Sequence, residues 1–245
     1  MSGPDPLRLV GLLGQPVAGS LSPRMQNAAF AARGLDWAYL PLEVAPDAVA
    51  DAVRGLAAAG FAGANVTMPH KGAAAKLCDE LDELSEAAGA VNTLVFSDGR
   101  ISGFNTDGPA VVSAVDASGG RALVLGRGGA ARVVAAALER AGAEVRLASR
   151  GDPDWPPSGA EATILVNATP VRDELVVAPR PGQQVVDLAY RAGEGPTALV
   201  AAARAAGCTT VVDGPEILVR QGAASFELWT GLPAPLDVMR AAVSA

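Results

Sequence analysis

Short aliphatic runs separated by amphipathic stretches recur along the whole chain. Runs at residues 7–13, 37–44, 61–66 and 89–96 have strand length, as do those at 122–125, 143–148, 162–166, 183–188 and 209–212. Helices are predicted between them. One runs from Pro23 to about Arg33 with Ser22 as N-cap, and one from Pro46 to Ala59 with a stop at Gly60. A third starts at Pro69 and places Lys71 near its beginning, and residues 77–88 read as helix broken around Asp79. Further helices are predicted at 109–117, 130–141, 197–206, 214–229 and 236–243. Asp98-Gly99 is a two-residue hairpin signal, with the return strand reaching Phe104. The alternation predicts an α/β protein whose strands end in polar or glycine-rich loops, where open α/β sheets bind ligands.

One stretch is more specific. The strand at 122–125 runs straight into Gly126-Arg-Gly-Gly-Ala, and an Ala-rich helix follows. A glycine turn of this kind lets a pyrophosphate approach bare backbone, and the helix N-terminus offers free N–H groups and partial positive charge. The pattern is G-x-G-G-A rather than the full G-x-G-x-x-G, so an ordinary glycine-rich αβ turn fits it as well. The next strand ends at Ser149-Arg150, with no carboxylate before Asp152. An Arg at that place favours a ribose 2′-phosphate, and hence NADP over NAD.

Composition narrows the class. Half of the 245 residues are hydrophobic and few are aromatic, so the core is built from Ala, Val and Leu. The net charge of −7 and the lack of a basic run argue against nucleic acid. No unbroken apolar stretch has the length of a membrane span, and residues 1–6 do not read as a signal peptide. Cys78 and Cys208 are far apart and lack metal-ligand spacing, which points to free thiols in a cytoplasmic protein. A single histidine, His70, leaves no His-based zinc site, and no metal is expected.

Several polar residues close the strands of the first half. Ser20 and Ser22 lie two apart in the loop after the first strand; Ser22 has a capping role open to it, whereas Ser20 has none. Lys71 stands at a helix start, the end the macrodipole makes unfavourable for a cation, in a chain with only Lys76 as a second lysine. It is either a solvated lysine or a required amine. Asn92 and Asp107 flank the hairpin base and can approach each other there; Asn105, Thr106 and Asp107 also suit a loop and N-cap.

Together these stretches resemble the shikimate dehydrogenase family, which includes shikimate 5-dehydrogenases and quinate/shikimate dehydrogenases. The resemblance covers nearly the whole chain. It rests on Gly19-Ser-Leu-Ser-Pro, Ala64-Asn-Val-Thr-Met-Pro-His-Lys, Gly89-Ala-Val-Asn-Thr, Asn105-Thr-Asp-Gly, the glycine turn, Asn167-Ala-Thr-Pro and Gln221-Gly-Ala-Ala-Ser-Phe-Glu-Leu-Trp, in the family's order. It implies an N-terminal α/β substrate domain at 1–107 and 215–245, its last helices returning to it, and a Rossmann-like NADP domain at 108–214. The implied activity is reversible NADPH-dependent reduction of 3-dehydroshikimate to shikimate in aromatic amino-acid (chorismate) biosynthesis. Alternatives are a relative acting on quinate or aminoshikimate, or a non-catalytic dinucleotide-binding sensor. The implied partners are NADP, with NAD weaker, and a small-molecule acid. Neither membrane nor nucleic acid is expected, and the assembly would be a monomer or homodimer.

Carried over position by position, Ser20 and Ser22 hold the substrate carboxylate, and Thr67, Asn92, Tyr190 and Gln221 bond the ring and its hydroxyls. Lys71 and Asp107 form the catalytic pair. Gly126, Arg127, Gly128, Gly129, Ala130, Ser149, Arg150, Thr169, Leu188, Gly214 and Glu83 contact the cofactor. The chain departs from the family pattern at Arg127, usually small, at Ser149-Arg150-Gly151, usually Asn-Arg-Thr, and at Arg172, Asp173, Glu216 and Ile217.

Overall fold

The computed structural model describes residues 7–244; residues 1–6, where no signal peptide is expected, lie outside the described residues. The chain divides into two compact units, Met1–Thr106 with Val219–Ala245, and Asp107–Leu218.

The first unit holds a six-stranded sheet in the order β2-β1-β3-β5-β6-β4. Its strands are β1 (Arg8–Gly14), β2 (Trp37–Glu43), β3 (Gly63–Val66), β4 (Glu80–Leu81), β5 (Thr93–Ser97) and β6 (Arg100–Phe104). β1 lies parallel between β2 and β3, whereas β5 is antiparallel to both β3 and β6. Every residue of β3 is buried, as a strand covered by helices on both faces requires. On one face α2 (Val49–Ala58) and α3 (Lys71–Ala75) pack Val49, Val53 and Ala74 against Leu13, Val66 and Leu94. Elsewhere in the unit α1 (Ser22–Ala32) packs against α9 (Leu236–Ser244), and Phe30 stacks on Phe226 of α8 (Gly214–Thr230) at 5.4 Å between ring centroids. The β5–β6 turn has Asp98 at φ 52° and Gly99 at φ 74°, the two left-handed residues of the predicted hairpin.

The second unit opens with α5 (Asp107–Val112) and carries a five-stranded, fully parallel sheet in the order β11-β10-β9-β7-β8. The strands are β7 (Arg121–Leu125), β8 (Glu144–Ala148), β9 (Ile164–Asn167), β10 (Gln184–Asp187) and β11 (Thr210–Val212). On one face α5 and α6 (Gly129–Arg140) bury Val111, Val134 and Leu138 against Val124, Ile164 and Val166. On the other, α7 (Ala198–Ala205) brings Leu199 and Ala203 to Leu123, Leu165 and Val185. No helix joins β8 to β9. The connection at 149–163 is irregular, and its Trp155 covers part of the second core in place of a helix.

Three expected elements are corrected. Residues 77–88 are not helical on both sides of Asp79: Glu80–Leu81 pair with β6 as a strand, and only α4 (Glu83–Ala88) is helical, capped by Asp82, which accepts the Ser85 N–H at 2.7 Å. Residues 89–92 precede β5 rather than belong to it, and Gly89 is the left-handed C-cap of α4 at φ 59°. Pro69 does not start a helix; α3 begins at Lys71.

Candidate functional site

The parallel strands β1 and β3 end side by side at Gly14 and Val66. Because β5 runs the other way, its start lies beside the end of β3, and the Val66 N–H donates to the Asn92 carbonyl at 2.8 Å. One end of the first sheet therefore gathers the loop carrying Ser20 and Ser22, then Thr67 after β3, Lys71 at the start of α3, and Asn92 before β5. Gly14 makes the close approach, since a methyl group there would collide with Thr67 Cγ2. The Gln15 N–H donates to the Met68 carbonyl at 2.9 Å, which holds the two loops together. His70 is buried, and its Nε2 lies 2.7 Å from the Val44 carbonyl. A carbonyl only accepts, so Nε2 carries the proton and His70 is a structural brace.

The capping role open to Ser22 falls to Ser20. Ser22 is buried inside the first turn of α1 and makes no capping bond. Its N–H is instead accepted by Ser20 Oγ at 3.2 Å, so Ser20 is the residue that satisfies a helix-end donor. Asn92 is anchored to the residue that follows Asn105: its Nδ2 donates to Thr106 Oγ1 at 2.9 Å, and its Oδ1 accepts the Thr106 N–H at 2.9 Å. Asn92 Nδ2 also lies 3.4 Å from Gln221 Oε1, which brings α8 into the group.

Behind these residues lies a buried polar network that the motifs alone did not single out. Asn65 Nδ2 donates to the Asn92 carbonyl, Thr93 Oγ1 and Ser225 Oγ at 3.0, 3.1 and 3.0 Å, and Tyr39 donates its hydroxyl to Asn65 Oδ1 at 2.8 Å. Thr93 Oγ1 reaches Asn92 Oδ1 at 2.9 Å. The signal was present: Asn65 stands in a wholly buried strand two residues before Thr67, and Ser225 lies one helical turn beyond Gln221. A buried amide with its partners satisfied fixes side-chain positions around it.

In the second unit every candidate except Asp107 lies at or just beyond the C-terminal end of a parallel strand. The glycine turn follows β7, Ser149 and Arg150 follow β8, Thr169 follows β9, Leu188 and Tyr190 follow β10, and Gly214 follows β11. Chain order reverses between β7 and β9, which makes their ends the switch point of the sheet. Gly126 has φ 120°, and a Cβ on it would sit 3.1 Å from the Ala168 carbonyl, so the two loops meet only because glycine is there. Gly128 faces open space. Thr169 Oγ1 donates to Asn167 Oδ1 at 2.6 Å and shapes its own turn. Leu188 packs on the core, and Gly214 leaves no room for a side chain beside the Ala189 carbonyl. Asp107 is buried at the first residue of α5, Tyr190 is half-buried, and Glu83 sits in the first unit at the start of α4.

Two charged features surround these ends. Arg127 neither points freely to solvent nor stands alone: its Nε donates to Ser149 Oγ at 3.1 Å and its Nη2 to both Asp152 oxygens at 2.8 Å. The Arg127 guanidinium holds the Asp152 carboxyl below its usual range, with the Ser149 N–H assisting. Asp187 is fully buried beneath the ends of β9 and β10 and accepts from Asn167 Nδ2, the Ala189 N–H and Thr197 Oγ1 at 2.8, 2.9 and 2.5 Å. Burial pushes its carboxyl up despite those three donors. Among the described residues no group of His, Cys, Asp and Glu could hold a metal ion, and no helix is long and apolar enough to cross a membrane.

A parallel sheet with a glycine turn at its switch point defines the second unit as a Rossmann-like, dinucleotide-binding fold. Comparison with known proteins makes the class specific. Residues 12–94 match the shikimate dehydrogenase substrate binding domain, and residues 214–243 match the shikimate 5'-dehydrogenase C-terminal domain. The chain is 43% identical to the shikimate dehydrogenase (NADP(+)) of Anaeromyxobacter dehalogenans strain 2CP-C, covering 97% of this chain and 96% of that protein. It is 45% identical to that of Rubrobacter xylanophilus, covering 96% and 95%. The crystal structure of the Thermus thermophilus shikimate 5-dehydrogenase in complex with NADP(H) and shikimate superposes with a TM-score of 0.86 at 34% identity, covering 97% of this chain and 98% of that one. The chain belongs to the shikimate dehydrogenase family.

Proposed function

We propose that this protein is an NADP-linked shikimate dehydrogenase that reversibly reduces 3-dehydroshikimate to shikimate in aromatic amino-acid biosynthesis. The observation that carries the reading is the gathering of Ser20, Ser22, Thr67, Lys71, Asn92 and Gln221 in the first unit of a chain so similar to NADP-dependent shikimate dehydrogenases. The first unit takes the cyclic acid and the second takes the dinucleotide.

Ser20 and Ser22 bind the substrate carboxylate with hydroxyls, which add no titratable group. Thr67, Asn92, Tyr190 and Gln221 bond the ring hydroxyls. Asn65 and Ser225 hold Asn92 and the α8 face in place for that task. At a secondary alcohol carbon, hydride and hydroxyl proton must move together. Lys71 and Asp107 supply and accept that proton, and the ammonium stabilises the developing alkoxide.

NADPH supplies the hydride. The second unit suits it: Gly126 keeps side-chain atoms out of the turn and Gly128 faces open space. Gly126, Gly128, Gly129 and Ala130 would hold the pyrophosphate, and Arg127, Ser149 and Arg150 would contact the cofactor at the adenosine ribose. Thr169, Leu188 and Gly214 would line the remainder, with Glu83 as a further contact. We place the protein in the cytoplasm on its two free thiols, as a monomer or homodimer, which sedimentation distinguishes.

The test is NADP reduction followed by nicotinamide absorbance with shikimate, quinate and aminoshikimate. The expected result is the highest kcat/KM for shikimate. Preference for another acid moves the protein to a quinate or aminoshikimate dehydrogenase, and cofactor binding without turnover makes it a sensor.

A further inference from the structure

We propose that Asp152 is a built-in competitor for the adenosine 2′-phosphate, and that its hold on Arg127 sets how strongly the cofactor site prefers phosphorylated over unphosphorylated dinucleotide. The proposal rests on the reading of the second unit as an NADP site. It goes beyond it by assigning Arg127 and Asp152 opposed roles in specificity.

The argument starts with where Arg127 is held. It lies between Gly126 and Gly128, in the turn that precedes α6. Arg132 Nη1 donates to the Arg127 carbonyl at 3.0 Å, which fixes the backbone. From there the side chain reaches the end of β8, where Nε meets Ser149 Oγ and Nη2 meets both Asp152 oxygens. Ser149 is the residue next to Arg150, so two guanidinium-bearing residues converge on the same strand end.

Asp152 mimics a phosphate there. Besides Arg127 it accepts the Ser149 N–H at 2.9 Å, so it collects a backbone amide and a guanidinium, the donor set an oxyanion seeks. Its side chain is 20% exposed while that of Arg127 is 55% exposed, so the guanidinium keeps an open side and the carboxylate is the more enclosed partner. Arg150 is 71% exposed and its acidic neighbour Glu174 is 4.0 Å away. The two arginines and two carboxylates cancel in charge. A 2′-phosphate gains full use of Arg127 only by taking the place of Asp152. An unphosphorylated ribose demands no exchange.

The experiment measures binding of adenosine 2′,5′-bisphosphate and of ADP to the full chain by calorimetry, so it does not depend on turnover. The parent is compared with Asp152→Asn, Arg127→Met and the double variant. Asn retains an oxygen for the Ser149 N–H, and Asp152→Ser serves as a second variant. In Asp152→Asn, bisphosphate binding should tighten by about fivefold, the scale of one exposed ion pair, while ADP binding stays unchanged. The gain should vanish in the Arg127→Met background and shrink as salt is raised. Unchanged or weaker bisphosphate binding in both Asp152 variants overturns the proposal, as does a gain that persists without Arg127. If the parent binds neither bisphosphate nor NADP, the cofactor reading itself fails; binding with no response to Asp152 fails this proposal alone.

Discussion

The indole of Trp229 donates to the carbonyl of Leu94 at 2.9 Å, joining α8 to β5 across 135 positions of sequence. Gly63, on the neighbouring strand β3, faces both groups: a methyl group there would run into the Leu94 carbonyl and the Trp229 ring. Gly63→Ala should therefore cost about 2–4 kcal/mol, combining overpacking with a broken buried hydrogen bond. Trp229→Phe, which removes the donor and leaves the carbonyl unpaired, should cost about 1–3 kcal/mol. Chemical denaturation measures both; parent-like stability in Gly63→Ala would show that β3 and α8 shift apart freely.

The acid–base pair makes a kinetic prediction. Lys71→Ala should leave shikimate affinity within a few-fold and lower kcat by roughly 10²–10⁴, the range for loss of a general acid–base group. Asp107→Ala should behave similarly. Because the two act as a unit, the double variant should be hardly worse than either single one. Full turnover in Lys71→Ala would make it a surface lysine.

The serine loop should separate binding from folding. Ser20→Ala and Ser22→Ala should each raise KM by the equivalent of about 1–2 kcal/mol of hydrogen bonding to a charged group. Only Ser20→Ala also removes the acceptor for the Ser22 N–H. It alone should therefore lower the melting temperature of the first unit. A melting loss confined to Ser22→Ala would reverse the assignment of the capping role.

The buried carboxylate of Asp187 predicts a pH dependence with a definite sign. Burial raises its folded pKa above the ordinary 3.8, so the folded chain holds this proton more readily than the unfolded chain. Between those two values stability falls as pH rises. Asp187→Asn has no such titration, so the stability of the parent relative to this variant should decline as pH climbs through that window and level off above it. Urea unfolding of both proteins across acidic pH measures the difference. A relative stability that rises with pH would mean that the three donors, and not burial, dominate.

Much of the site was written in short-range patterns. The glycine turn, the Asp98-Gly99 hairpin and the strand-ending polar residues were legible because each depends on backbone conformation or local apolar content. The failures were also physical. Residues 77–88 are Leu- and Ala-rich enough for a helix, but Glu80 and Leu81 extend to pair with β6, a partner no local window contains. Ser22 before Pro23 looked like a cap, yet the Ser20 hydroxyl took that role when the loop folded back.

The sequence by itself determined an α/β chain with a glycine turn suited to a dinucleotide and with polar residues closing its strands. Those follow from residue type and spacing, which a linear reading preserves; the link of those polar residues to a cyclic hydroxy acid came from the resemblance to shikimate dehydrogenases. Only the tertiary structure decided who bonds to whom. It made Asn65 the centre of a network drawing on Tyr39, Thr93 and Ser225, and it set Asp152 on Arg127. Such pairings span from 25 to 160 positions. Strand register and loop closure bring them within 3 Å or so, and neither is encoded in any local stretch of the chain.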